Sequence, residues 1–566
     1  MINYRHRIGC VASVLCIVSA PAIAQSLPDS LARRVDSVFA PMNHADAPGC
    51  AVGIYHDDRI VYEHGYGIAD LEHAVAIAPR TVFDIGSMSK QFTAACLLLL
   101  AQEGKLSLDD DVHRYLPELP DYGAPITIRN LLNHTSGLRD YIGLLALSGR
   151  NIDDVTTPED ALRMIVRQKG LDFPTGTQHQ YCNTGYFLAS LIVRRVSGRS
   201  LRDYAAAHIF KPLGMEHTAY VDDHTAIVPD RAVGYSRGDG GAWHRDVSYW
   251  EQNGDGGVFT TVEDLLQWDR NFYNPRVGGA GMIAELGRRG LLKNGDTLDY
   301  AEGLYYGTIG GLQTVEHSGS WGGYRSTIIR IPTEHFTVVV LSNSGQTNPD
   351  RVARGVIRAV LGGRLAPAPA PDAPKGDAAV VHIEPAAFDA CAGLYELAEM
   401  PGFVLTFTRN AERFFVQATG QDAVEIVPTS DSTFSLVGVP ASLTFHRDRS
   451  GHANSLTLHQ GGDHEAGRAV PASIAAKELA GYAGRYYSPE LDMAYTLSLV
   501  DGKLIAVNPR MGSVELTPPQ TASGSRFSGS QWFLPSVEFE KGTGGRVKAM
   551  LVSLGRTNGM RFDRQK

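Results

Sequence analysis

Ser87 and Lys90 stand three residues apart in the segment IGSMSKQFTAACLLLLAQEGKL. The run behind them is apolar at helical spacing, through Phe92, Ala95, Cys96, Leu99 and Leu100, which predicts a buried helix with Ser87 in its first turn. Positions i and i+3 share a helix face, so the Lys90 amine would lie beside the Ser87 hydroxyl. A desolvated lysine loses its proton more readily and can accept one from a serine, so the pair could make a nucleophile without histidine. The positive end of the helix dipole and its free N–H groups would assist. The same residues also suit a helix cap followed by a solvated lysine, and the spacing alone does not separate the two.

Other patterns shift that balance. Tyr181-Cys182-Asn183 follows Ser87 by 94 residues and directly precedes an apolar helical run. His317-Ser318-Gly319-Ser320 precedes a strand-like run. Acyl transfer needs a nucleophile, a base, a proton donor for the leaving group and an oxyanion site. Ser87 suits the first role, and Lys90 and Tyr181 can share the proton transfers. A free tyrosine titrates near ~10, so a neighbouring cationic or hydrogen-bonding group would have to lower it for base chemistry at neutral pH. The sequence leaves open which of the two is the base. The two-sided amide of Asn183 can hold a substrate carbonyl, or it can cap the helix that follows.

SxxK, then YxN, then a basic residue-x-Gly strand, in that order, resembles the penicillin-recognising serine hydrolases. Within them the chain is similar to the class C β-lactamase-related branch, with its D,D-carboxypeptidases, D-aminopeptidases and esterases, over residues 45–345. The resemblance implies backbone N–H groups of Ser87 and Ser320 as oxyanion donors. It also implies substrate contacts from Asn183, His317, Gly319 and Ser320, and neither metal nor cofactor. His317 is a departure, because β-lactamases and penicillin-binding proteins of this superfamily carry Lys-Thr-Gly there. A histidine with a pKa near ~6.5 is mostly neutral at pH 7, which weakens recognition of a free carboxylate. The substrate implied is a small amide or peptide, D-amino-acid-containing ones first. A carboxylic esterase or weak β-lactamase is the alternative within the same mechanism. A non-turnover sensor of penicillin or cell-wall peptide is the alternative from another class, and the completeness of the constellation argues against it.

Several tempting groups read as structural. His134-Thr135-Ser136-Gly137 is expected to be a helix-ending turn, Thr261 a helix cap, and Asp109-Asp110-Asp111 a turn without calcium-loop spacing. Cys182 should point away from its neighbours Tyr181 and Asn183 by alternation.

The elements that must position these residues suggest an α+β domain over 25–362. A helix (Leu31 to Phe39) and a hairpin (50–55 and 60–66) open it, and strands 326–331 and 336–342 with a last helix (Arg351 to Leu361) close it. The sheet would be antiparallel and drawn from both ends, with a helical subdomain between, as in β-lactamases and D,D-peptidases. An Ala/Pro run at 363–379 reads as an extended linker. Beyond it Ala392-Gly393-Leu394-Tyr395 matches Ala483-Gly484-Arg485-Tyr486, and 443–445 and 456–458 match 537–539 and 550–552. Two copies of short alternating strands, 380–472 and 473–566, predict two small antiparallel, lipocalin-like barrels.

The N-terminus reads as an export signal over 1–24: Arg5 and Arg7, an apolar run from Ile8 to Ala20, then Ala22-Ile23-Ala24. Its removal takes two arginines and no acids from a net charge of −9, leaving −11. That disfavours nucleic acid or an anionic membrane as partner, and no segment is long enough to span a bilayer. A periplasmic or secreted protein is expected. Cys50, Cys96, Cys182 and Cys391 remain, scattered and without zinc spacing.

Overall fold

The computed structural model describes residues 26–366 and 383–566, apart from 239, 401, 420, 422, 438, 440, 461, 473, 475 and 522–524. The expected export signal and most of the Ala/Pro run lie outside the described residues. The first unit is built on a six-stranded antiparallel sheet: β1 Cys50–His56, β2 Arg59–Tyr66, β3 Tyr305–Ile309, β4 Leu312–Trp321, β5 Tyr324–Ile331 and β6 Phe336–Ser342. Their spatial order is β3-β4-β5-β6-β1-β2. The β1–β6 ladder, with Cys50 opposite Ser342, joins the two ends of the unit. Both strands are nearly continuous apolar runs and buried on both faces, because helices cover the two sides of the sheet.

One side carries Asp29–Phe39 and Pro349–Leu361. The second of these starts two residues earlier than its apolar pattern suggests, since Pro349 takes the first helical position after the Asn348 cap, whose Oδ1 accepts from Arg351 N at 2.9 Å. The other side carries Val262–Tyr273, capped by Thr261 as its sequence predicts, with the helical subdomain beyond. Between that helix and the sheet lies a buried ion pair, Arg330 Nε to Asp269 Oδ1 at 2.7 Å, with side chains 1% and 4% exposed. Removing one partner strands a buried charge. Asp269→Ala should therefore cost about 3–5 kcal/mol of unfolding free energy. Joint replacement by Asp269→Leu and Arg330→Met should recover most of it, read from urea midpoints; a single-variant loss below about 1 kcal/mol would count against the argument.

After 383 the chain forms two closed eight-stranded antiparallel barrels, 393–469 and 484–564, each with strands in sequential order. The repeat seen in the sequence is a repeat of structure. Tyr395 donates to the Cys391 carbonyl at 2.9 Å, and Tyr486 to the Tyr482 carbonyl at 2.7 Å. Arg468 and Arg564 close the barrels by binding the carbonyls of Ala392 and Ala483. The first barrel has its own aromatic core around Phe388, Phe407, Phe434 and Phe445. The second shares one continuous core with the first unit and is clamped to it by Arg139, whose Nη1 donates to Glu490 at 2.8 Å. The four cysteines among the described residues are free and buried.

Candidate active site

The Ser87 segment departs from its predicted geometry in an informative way. Gly86 to Ser89 form a 3-10 turn, and the helix proper starts at Lys90 and runs to Gln102. In a 3-10 turn residues i and i+3 eclipse, so Lys90 comes directly over Ser87, with Nζ to Oγ at 3.0 Å. The turn is set by Gly86, at φ +47°, where a Cβ would come within 2.8 Å of Ser320 N. The helix behind is buried almost all round, as expected where no face meets water.

Lys90 is fully buried and its three hydrogen-bond contacts are all oxygens. Besides Ser87 Oγ it reaches Asn183 Oδ1 at 2.9 Å and the Asp255 carbonyl at 2.7 Å. The last two oxygens can only accept. A neutral Lys90 has two N–H bonds and one lone pair, so both hydrogens go to those acceptors and the lone pair faces the Ser87 hydroxyl. Burial pulls the Lys90 ammonium well below its ordinary value, and the charge of Arg556 pulls it further, against Asp255 and Asp140.

The orientation of Asn183 is fixed from behind. Its Nδ2 donates to Asp140 Oδ2 at 3.0 Å and its main-chain N to the same oxygen at 2.8 Å, which turns Oδ1 toward Lys90. Asp140 in turn caps the helix Tyr141–Leu147. Cys182 points away from the cleft, its thiol on the Leu138 carbonyl at 3.1 Å, while its main-chain N donates to His134 Nδ1 at 3.1 Å. The HTSG segment is indeed a helix-ending turn, with His134 at φ +58°. Its ring also packs 4.2 Å from that of Tyr181, so it supports the tyrosine.

Tyr181 Oη is buried and makes no hydrogen bond of good geometry. Burial raises its pKa well above the free value; Ser87 and Arg556 pull the other way. His317 donates from Nδ1 to the Ser318 carbonyl at 2.6 Å, so Nε2 is left to accept from Tyr300 Oη at 3.3 Å. Burial, reinforced by Lys90, lowers its pKa to about 3, and the ring is neutral at pH 7. Gly319 and Ser320 on β4 come against the Ser87 turn, where Ser326 Oγ donates to the Ile85 carbonyl at 2.8 Å.

Ser87, Tyr181, Asn183, His317, Gly319 and Ser320 all line one cleft of about 990 Å³, with Lys90 beneath it. Three contributors had no signal as site residues in the sequence reading: Asp140, Asp255 and Arg556. Asp140 and Asp255 act on Lys90 and Asn183 from loops distant in sequence, and Arg556 enters from the second barrel. Such a site can do acyl transfer: a nucleophile with a proton acceptor in contact, a buried phenol beside it and a strand of backbone alongside.

A Beta-lactamase family model matches residues 35–362. A D-aminopeptidase of Cereibacter sphaeroides is 30% identical over 479 residues, spanning 84% of this chain and 85% of that protein. A Bacillus subtilis penicillin-binding protein is 29% identical over 424 residues, 72% of this chain and 91% of its own length. Among solved structures, an octameric penicillin-binding protein homologue from Pyrococcus abyssi superposes with a TM-score of 0.56 at 24% identity, covering 77% of this chain and 99% of that one. With the fold, the cleft and these matches in agreement, the chain belongs to the Beta-lactamase family, within the penicillin-recognising serine hydrolases.

Proposed function

We propose that the protein is an exported hydrolase that cleaves amide bonds in small D-amino-acid-containing peptides or amides through an acyl-enzyme on Ser87. The observation that carries the mechanism is the trio of oxygens around Lys90. Neutral Lys90 takes the Ser87 proton as Oγ attacks the substrate carbonyl, and the oxyanion is held by the backbone N–H groups of Ser87 and Ser320. Tyr181 donates its proton to the departing nitrogen and is reprotonated from the Lys90 ammonium. Water then repeats the sequence in reverse and frees Ser87. Its raised pKa suits Tyr181 to the acid role, and the lowered one suits Lys90 to the base role. Asn183 and His317 face the cleft as substrate contacts.

The D-amino-acid reading is supported by relatives named D-aminopeptidase that cover most of the chain. Export is supported by the signal-like segment 1–24, and no helix among the described residues is long and apolar enough to cross a membrane. In this reading 25–362 is the hydrolase domain, 363–379 the linker, and 380–472 and 473–566 the barrels that shape its selectivity.

A panel of D- and L-aminoacyl amides, D-Ala-D-Ala peptides, p-nitrophenyl esters and a chromogenic cephalosporin tests it. The expected result is preference for the D series by at least tenfold and complete loss in Ser87→Ala. Preference for the L series would overturn the substrate class, and full hydrolysis by Ser87→Ala would overturn the mechanism.

A further inference from the structure

The cleft contains a cation that the hydrolase unit does not supply. Arg556 sits in the two-residue turn between barrel strands 547–554 and 557–564, with Gly555 at φ +55° making the turn. Its guanidinium lies 5.0 Å from the centre of the Tyr181 ring and lines the same cleft as Ser87. We propose that Arg556 is a specificity-determining residue that binds a carboxylate on the departing half of the substrate. This rests on Tyr181 as the donor to the leaving group, since a cation stacked on that ring lies on the leaving-group side.

The turn is held in place by contacts that do not involve the Arg556 side chain. Gln180 Nε2 donates to the Arg556 carbonyl at 2.9 Å, Thr557 Oγ to the Asp140 carbonyl at 3.0 Å, and Asn558 N to Asp172 Oδ1 at 3.3 Å. The approach is close enough that a Cβ on Gly143 would come within 2.5 Å of Thr557 Oγ. A guanidinium carried on so fixed a turn is preorganised for a planar carboxylate.

Its own partner within the protein is loose. Asp140 Oδ2 stands 3.5 Å from Arg556 Nε, and that oxygen already accepts two hydrogen bonds from Asn183. The Arg556 side chain is 42% exposed and, among the described residues, donates no hydrogen bond. The other arginines of the cleft are differently engaged: Arg325 donates to the carbonyls of Gly322 and Tyr324, and Arg231 neighbours the buried Asp84.

The neutral His317 supplies no charge, so the expectation that carboxylate recognition is weak holds for β4 alone. The second barrel restores the missing positive charge from across the cleft. The ligand class is a peptide or depsipeptide whose leaving residue bears a free carboxylate, and an ammonium at that position would be repelled.

The test uses two esters of phenylacetyl-D-alanine, one with 3-hydroxybenzoic acid and one with 3-hydroxybenzamide. Ser87 Oγ forms the new ester bond, and the phenol oxygen leaves with a proton. The two leaving groups differ intrinsically, so the readout is how the acid-to-carboxamide ratio of kcat/KM changes between the full-length protein and its variants. Arg556→Ala should lower that ratio at least tenfold, Arg556→Glu should lower it further, and Arg556→Lys should keep part of it. A ratio constant within twofold across all variants, even if both rates fall, would leave Arg556 a docking residue and overturn the proposal. Failure of both esters to acylate Ser87 would overturn it together with the hydrolase mechanism. A shifted ratio without D-peptide cleavage would sustain Arg556 and sink only the D-amino-acid reading.

Discussion

Lys90→Met is expected to slow acylation of Ser87 by roughly 10⁴-fold, the upper range for loss of a positioned general base. The reason lies in what the methionine cannot do. Lys90 Nζ lies 3.0 Å from Ser87 Oγ, and its other two partners are oxygens that accept only. Tyr181 cannot take over, because burial holds its hydroxyl protonated far above neutral pH. The same argument gives the pH dependence its sign. The base works when unprotonated, and burial brings Lys90 down to about 7. Activity should therefore rise with pH through that region, level off above it, and fall about tenfold per unit on the acid side. Arg556→Ala removes a cation that helps keep Lys90 low, so its limb should move to higher pH. Intact-mass acylation by a p-nitrophenyl ester, with a melting curve to verify folding, measures both. A loss of only a few fold in a folded Lys90→Met variant would pass the base role to another group.

The parts of this site that were legible in the sequence are those whose geometry is local. Ser87 and Lys90 meet because three residues of turn bring them together, and even the 3-10 form found in place of an α-helical turn preserves that contact. Tyr181 and Asn183 both face the cleft where an extended segment enters the helix Asn183–Ser197, and the Cys182 thiol turns away to the Leu138 carbonyl. That the main sheet is drawn from both ends of the unit was also legible, since β1 and β6 are apolar runs, whereas the place of β3 at its edge was not. Asp140 and Asp255 were not legible, because their roles depend on contacts with residues 43 and 165 positions away. His134 read correctly as a turn residue, yet its packing on Tyr181 arises only when that turn meets the segment 48 residues later. Arg556 is the most distant case. In the repeat register its counterpart in the first barrel is Gly462, so one copy of the duplicated turn carries a cation where the other carries no side chain. One cation of the cleft is thus supplied by an element outside the first unit, and no motif within residues 45–345 could have shown it.

Gly319→Ala should reduce kcat by about 10²–10³-fold with a smaller change in KM, the range for losing an oxyanion donor. The new Cβ would drive into the Ile85 carbonyl oxygen and come within 2.5 Å of Ser326 Oγ. Neither neighbour can yield easily. Ile85 is fixed by its N–H on the Val258 carbonyl at 3.0 Å, and its own carbonyl is held by Ser326. The strain is backbone against backbone, so β4 must move away from the nucleophile turn. Ser320 N, which a Cβ on Gly86 would approach at 2.8 Å, moves with it. The two proposed oxyanion donors, on Ser87 and Ser320, then no longer converge. Ser320→Ala makes the contrast, since it removes a side chain that is exposed and keeps the N–H; a loss of less than about fivefold is expected, small against the donor effect. The pair separates backbone from side-chain chemistry on the same strand. Equal losses in both variants would assign the role to the Ser320 hydroxyl, and an unaltered kcat in folded Gly319→Ala would place the oxyanion elsewhere in the cleft.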